Sequence, residues 1–307
     1  MPTYSGPAGF AHGEIPKIGV LVSNLGTPDA AEPTALRRYL REFLGDPRVI
    51  EMSRPLWWLI LNLVVLPTRP ARSAALYRNV WTQEGSPLLT ISRKQTDGLR
   101  EILARELATP VRVELGMRYG NPSIPAAMAK LAAEGCRRFL ILPLYPQYFA
   151  ATTGTTFDAV AQVLAGWRWV PDVRFVSGYV EEPGYAAAVA ASIRERWQTE
   201  GEPDRLLFSF HGIPERYFRN GDPYHCVCHQ TARLVAEQLE LPRERYTVAF
   251  QSRFGREEWL KPYTDKTVAA LARSGVKRLD IVNPGMGRAT GMSRCVTFPR
   301  SYRLTRV

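Results

Sequence analysis

Short runs of β-branched and aromatic residues alternate along this chain with longer Ala- and Leu-rich stretches whose apolar positions recur at helical spacing. The pattern predicts strands near 18–24, 111–116, 138–142, 173–176, 205–210, 246–251 and 276–283, and helices over 34–44, 123–134, 156–165, 185–198, 230–240 and 262–273. Gly45, Gly135 and Gly275 stand where a left-handed residue would close three of those helices. Strand and helix in strict alternation are the mark of βαβ units, so the predicted class is α/β with parallel, doubly wound sheets.

One stretch breaks the alternation. Pro55–Pro67 (PLWWLILNLVVLP) is almost wholly apolar yet holds only eleven residues between its prolines, well short of the ~20 that a membrane span needs. It is either a buried helix or an exposed lip. As a lip, Trp57–Leu66, flanked by Arg54, Arg69 and Arg72, would hold a flat apolar ligand and touch a membrane surface.

The hydrophobic pattern also repeats. Val20–Pro28 (VLVSNLGTP) and Leu206–Pro214 (LLFSFHGIP) share a Ser-x-x-Gly-x-Pro frame. Met117–Gly120 (MRYG) then matches Ser252–Gly255 (SRFG), and Pro143 matches Pro284, each after a helix, a Gly and a strand. Three matches in one order predict two related Rossmann-like halves, 1–180 and 181–307, with ligands beyond the carboxyl ends of the strands. By that measure the second half is incomplete. Only 23 residues follow Pro284, they carry five arginines, and they show neither helical nor strand periodicity.

Composition narrows the class. With 307 residues, 45% hydrophobic and 22% charged, the chain can bury two cores and is neither disordered nor fibrous. The net charge of +11 is spread singly and in pairs, with no Lys/Arg stripe interleaved with aromatics, which argues against nucleic acid. Four cysteines are too few for a disulfide framework, and residues 1–17 show no secretory signal, so the expected location is the cytoplasm, with the lip at the inner membrane. Neither GxxxxGK[ST] nor GxGxxG occurs, which argues against a nucleotide cofactor.

Candidate chemistry falls on the repeat. His211 occupies the position of Leu25, placing an imidazole with an ordinary pKa of about 6.5 where an apolar side chain stands in the first half. Such a group moves protons or binds a divalent metal; the plainer alternative is a loop histidine bonded to backbone. His225-Cys226-Val227-Cys228-His229 offers two thiols and two imidazoles, but no second ligand pair accompanies them, so a polar loop capping helix 230–240 is preferred over a metal site. Tyr145–Tyr148 (YPQY) precedes Thr152-Thr153-Gly154-Thr155-Thr156, either a turn with a Thr-capped helix or a helix N-terminus suited to a carboxylate.

Taken together, Asn24–Pro28 (NLGTP), Arg118–Pro122 (RYGNP), YPQY with its TTG, Ser209–Pro214 (SFHGIP), Gly221–Tyr224 (GDPY), and Gln251–Gly255 (QSRFG) with Trp259 resemble the ferrochelatase family over roughly residues 17–284. The resemblance implies two Rossmann-like domains around a porphyrin cleft. It also implies insertion of Fe(II) into a porphyrin in haem synthesis, with porphyrin and ferrous iron as the partners. His211 would be the catalytic and metal-contacting residue; Leu25, Arg118, Tyr119, Tyr145 and Trp259 would line the porphyrin pocket. In the family a glutamate beyond the last matched strand works opposite the histidine, yet no Glu follows Glu258 here. The expectation is therefore an impaired chelatase whose second sheet lacks a helix and a strand and exposes an edge. The alternatives are a non-catalytic tetrapyrrole- or metal-binding relative and a chelatase for cobalt or nickel. Members with an iron-sulfur cluster carry a cysteine after YPQY; Ala150 stands here and only Cys295 lies near the end, so no cofactor beyond substrate iron is expected.

Overall fold

A strand bonded on both edges and covered on both faces must be apolar almost throughout, and two segments of this chain meet that demand. The computed structural model describes residues 4–6, 12, 13, 15–253, 255–285 and, for their backbone, 294–297. In it β1 (Lys17–Thr27) lies between β2 (Val111–Gly120) and β3 (Cys136–Pro143), with β4 (Asp172–Phe175) outside β3, all parallel. Likewise β5 (Arg205–His211) lies between β6 (Tyr246–Gln251) and β7 (Arg278–Val282), again parallel. The orders β2-β1-β3-β4 and β6-β5-β7-β8 are one permutation used twice, so the sequence repeat is a repeat of topology.

The last strand differs between the sheets. β8 (Arg294–Thr297) runs antiparallel to β7, Leu279 opposite Val296 and Asp280 opposite Cys295. Only eleven residues separate Val282 from Arg294, fewer than the dozen or more that a parallel crossover needs. The edge of β7 that the repeat leaves bare is thus paired, which corrects the expectation of an exposed edge there. The remainder of the arginine-rich tail lies outside the described residues.

Helices cover the sheets. In the first unit these are α1 (Pro33–Gly45), α2 (Arg54–Ile60), α3 (Leu66–Arg78), α4 (Pro87–Glu106), α5 (Ile124–Ala133) and α6 (Thr155–Ala165); in the second, α7 (Pro183–Glu200), α8 (Glu215–Arg219), α9 (Tyr224–Gln238) and α10 (Thr264–Arg273). α4 is missing from the periodicity because Ser92 and Thr96 occupy its buried face, where each hydroxyl bonds to a carbonyl one turn back. Leu89, Leu99 and Leu103 of this helix pack with Val113, Leu115 and Met117 of β2. His225–His229 belong to the first turns of α9 rather than to a loop, because the Asp222 carboxylate accepts the N–H of Tyr224 at 3.0 Å and starts the helix there.

By contacts the chain forms two compact units, Met1–Leu144 with Ala150–Ser177, and Tyr145–Phe149 with Gly178–Val307. Sequence order places Tyr145–Phe149 in the first half; packing places it in the second. Gln147 explains this, being buried and donating through Nε2 to Tyr185 Oη at 3.2 Å and Thr231 Oγ1 at 3.0 Å.

The glycine of the repeated frame has a steric cause. Gly26 has φ +103°, and a Cβ there would lie 1.8 Å from the Tyr119 carbonyl oxygen; at Gly212 it would lie 2.9 Å from that of Gln251. The second match is out of register, since Ser23 faces Gly116 and Ser209 faces Ala249, which makes Met117 equivalent to Phe250 and not to Ser252. Gly26→Ala is expected to lower unfolding free energy by about 3–5 kcal/mol, the range of the gravest single substitutions. Gly45→Ala, with nothing within 4 Å of its Cβ, should be neutral. Urea denaturation of both checks this, and equal midpoints would dismiss the close approach as a constraint.

Candidate active site

His211 ends β5, opposite Gln251 of β6. The next residue turns away at once, with Gly212 N–H donating to the Gln251 carbonyl at 2.7 Å. A second chain segment fixes the loop: Glu215 N–H donates to Glu258 O at 2.9 Å, Leu260 N–H to Ile213 O at 2.9 Å, and Pro214 bridges to Trp259. This brings the rings of His211 and Trp259 to 6.3 Å, uniting two expected site residues that lie 48 positions apart. Trp259 is half-buried and its Nε1 has no hydrogen-bond partner among the described residues.

The imidazole's tautomer follows from its partner. Nδ1 lies 2.7 Å from the Gly212 carbonyl oxygen, which can only accept, so Nδ1 carries the hydrogen and neutral Nε2 keeps its lone pair. His211 retains exposed surface, yet protein atoms crowd enough of the ring to disfavour the cation. That desolvation lowers the pKa from 6.5, outweighing the Gly212 bond that acts the other way. At neutral pH the side chain is a neutral imidazole.

Tyr145 is buried in the same unit, two residues before Gln147. The hydroxyl protons of Tyr185 and Thr231 go to the carbonyls of Pro284 at 2.6 Å and Val227 at 2.8 Å, so Gln147 must present its amide nitrogen to both. Its Oε1 is left buried and without a partner among the described residues.

The other expected residues lie in the first unit. Leu25 is half-buried on the frame's loop, held by its N–H donating to Asn24 Oδ1 at 2.8 Å while Asn24 Nδ2 donates to Ser92 at 3.0 Å. Arg118 and Tyr119, at the carboxyl end of β2, both serve Asp46: Arg118 Nη2 and Tyr119 Oη donate to its Oδ2, the latter at 2.9 Å. Tyr119 is fully buried, so it has no surface with which to line an open pocket; burial raises its pKa, Arg118 opposing. Asp46 and Arg48, which chelates Asp158, escaped the sequence reading. A signal existed: Gly45-Asp46-Pro47 repeats Gly221-Asp222-Pro223, and each aspartate accepts the N–H two residues on, from Arg48 at 2.8 Å and Tyr224 at 3.0 Å.

The apolar run has one buried face and one exposed face. α2 continues through a π-helical turn, Leu61–Val65, into α3, the wide turn falling just before Pro67. One face is core: Trp57, Leu61 and Leu66 are buried with Leu40, Leu44 and Ile50 around them, and Trp57 Nε1 donates to the Leu44 carbonyl at 2.6 Å. The other face is open, with Trp58 62% and Leu63 68% exposed beside Leu56, Leu59 and Val64. Among the described residues no helix is long and apolar enough to cross a membrane.

Two α/β units that share one strand permutation, with a neutral imidazole at the carboxyl end of a central strand, define a Rossmann-like α/β protein with a candidate base where such sheets bind ligands. The family model for ferrochelatase matches residues 17–286. The ferrochelatase of Thioalkalivibrio sulfidiphilus is 56% identical over 282 residues, covering 92% of this chain and 76% of that protein; that of Marinobacter nauticus is 52% identical over 285 residues, covering 93% and 77%. The chain belongs to the ferrochelatase family, enzymes that insert ferrous iron into a porphyrin in haem synthesis. Among solved structures, SirB from Bacillus subtilis with Fe3+ aligns with a TM-score of 0.48 and 14% identity, over 87% of this chain and 76% of that one, a likeness too slight to bear on function.

His225 and His229 also have lowered pKa values, desolvation being the first cause in each. With His211 they make three groups that bind protons less readily folded than unfolded. Their penalty is absent above the unfolded value of about 6.5 and grows as pH falls below it toward the folded values. Thermal melts from pH 7.5 to 5 should show falling stability, with a smaller fall for His225→Gln/His229→Gln; a rise on acidification would contradict the assignment.

Proposed function

We propose that this chain inserts Fe(II) into a porphyrin with His211 as the group on which the step depends. The observation that carries the reading is the Nδ1 bond to the Gly212 carbonyl, which leaves Nε2 as the free base of a neutral imidazole. Two pyrrole N–H protons must leave as the dication enters, so the reaction needs an acceptor and a metal donor beside the macrocycle; it needs no oxidant and no resident cofactor. Neutral imidazole serves both needs, since it accepts a proton and is a good ligand for ferrous iron. Turning the ring would cost the Gly212 bond, so the lone pair is held in one direction.

Trp259, Tyr145, Leu25 and Arg118 supply the macrocycle's surroundings in this reading. The ring of Trp259, tilted 49° to that of His211, offers a flat apolar surface beside the base. Tyr119 acts behind Arg118 by holding Asp46. Leu56, Trp58, Leu59, Leu63 and Val64 form the membrane-facing lip, which keeps an otherwise cytoplasmic chain at the inner-membrane surface, where an apolar substrate partitions.

His211→Ala should lower iron insertion by about 10²–10⁴-fold, the worth of a positioned proton acceptor, while porphyrin binding persists. Stopped-flow metalation and porphyrin fluorescence quenching separate the two, and retained turnover would reject the assignment. For the lip, Trp58→Ser and Leu63→Ser are the informative changes, because Trp57 and Leu61 are core and their replacement would unfold α2. A buried large apolar side chain is worth about 1.5–3 kcal/mol, so each should weaken binding to anionic liposomes about tenfold or more, with circular dichroism unchanged. Undiminished liposome binding by the double variant would exclude this face as the membrane contact.

A further inference from the structure

On α9, His225 and His229 stand one turn apart, and their ring centroids lie 4.6 Å from each other. Residues four apart share one helix face, and two imidazoles at that spacing form a chelating pair for a transition metal. Both rings are half-buried, and neither makes a hydrogen bond among the described residues, so their lone pairs are uncommitted. Ring orientation is not left to chance. Phe250 stacks on His225 at 5.6 Å and 24°, Phe218 lies against it at 5.0 Å, and Phe250 also touches His229 at 6.2 Å.

Among the described residues no third His, Cys, Asp or Glu converges on the pair. His225 does line an open groove of about 320 Å³ with Glu215, Arg219, Glu258 and Lys261, and both carboxylates there are paired, Glu215 with Arg219 and Glu258 with Lys261. The nearby positive charge includes Arg243, which further lowers the pKa of His229. We propose that His225 and His229 form a second metal-binding site, an open bis-imidazole chelate for late first-row divalent cations, separate from His211. Water fills the remaining positions. With two protein ligands and cationic neighbours the site holds its metal exchangeably, in the order Cu²⁺ above Ni²⁺ and Zn²⁺, rather than as a closed structural centre. Cys226, though exposed on the intervening turn, takes no part.

Nickel titration of the whole chain by calorimetry and by melting temperature tests the site. Ligand that binds the folded state alone raises the midpoint. The wild type should bind and gain stability, His211→Ala and Cys226→Ser should retain a nickel-binding event, and His225→Ala/His229→Ala should lose it while keeping iron insertion. Single replacements should weaken binding about tenfold or more, since loss of even an outer-shell partner of a metal site costs that much. Should the alanine variants fail to fold, wild-type protein treated with diethyl pyrocarbonate gives the same answer: nickel must shield His225 and His229 from acylation, read by peptide mass. Unchanged binding in the double variant, loss of this event in Cys226→Ser, or equal acylation with and without nickel would each overturn the proposal. Since His211→Ala keeps this site and loses iron insertion, its failure is distinguishable from that of the proposed function.

Discussion

Backbone must approach backbone at the carboxyl end of each central strand, and most of what this protein presents depends on that approach. At Gly26 the next strand's carbonyl occupies the space of a Cβ; at Gly212 the Gln251 carbonyl and the Trp259 ring share it. A side chain at either position would push the flanking strands apart just where their loops begin. With glycine in place, Leu25 and His211 are carried at the lip of their sheets by hydrogen-bonded backbone rather than by loose loop. The imidazole of His211 therefore sits on a rigid element, with its Nδ1 committed and its Nε2 free.

The two units put one device to two uses. In the first, Asn24, Ser92, Asp46, Arg118 and Tyr119 join in buried polar bonds that lock the loops of β1 and β2 to α1 and α4. In the second, the loop after β5 exchanges Leu25 for His211, and the loop after β6 gains a seven-residue insertion: four residues separate Met117 from Pro122, but eleven separate Phe250 from Pro262. That insertion carries Trp259 to the histidine. Structure is conserved between the units at glycine and aspartate, where backbone geometry is at stake, while chemistry enters at positions that face outward.

Edges and faces follow from what the chain has at hand to cover them. β4 closes the first sheet in parallel through α6, whereas β8 closes the second by returning over eleven residues antiparallel to β7. Buried polar groups obey the same economy: Gln147 draws the YPQYF segment into the second unit because its amide can satisfy two hydroxyls there whose own protons are already spent on carbonyls. The Trp57–Leu66 run divides itself, Trp57, Leu61 and Leu66 inward and Trp58 and Leu63 outward, since a single helix cannot bury its whole circumference against one partner.

By itself the sequence determined the α/β class, nearly every strand, the twofold repeat and the placement of His211, because apolar periodicity and a glycine with no steric alternative are local facts. The motifs shared with ferrochelatases carried the activity for the same reason. It could not show α4, whose buried face is Ser92 and Thr96, nor that His225–His229 are helical, since both depend on side-chain bonds to backbone that hydropathy does not register. Tyr119's burial, Asp46 as the anchor beneath Arg118, and the union of His211 with Trp259 were decided only in three dimensions. Each requires residues tens of positions apart to meet, and that meeting is set by strand register and by the partner a buried polar atom finds, not by any spacing along the chain.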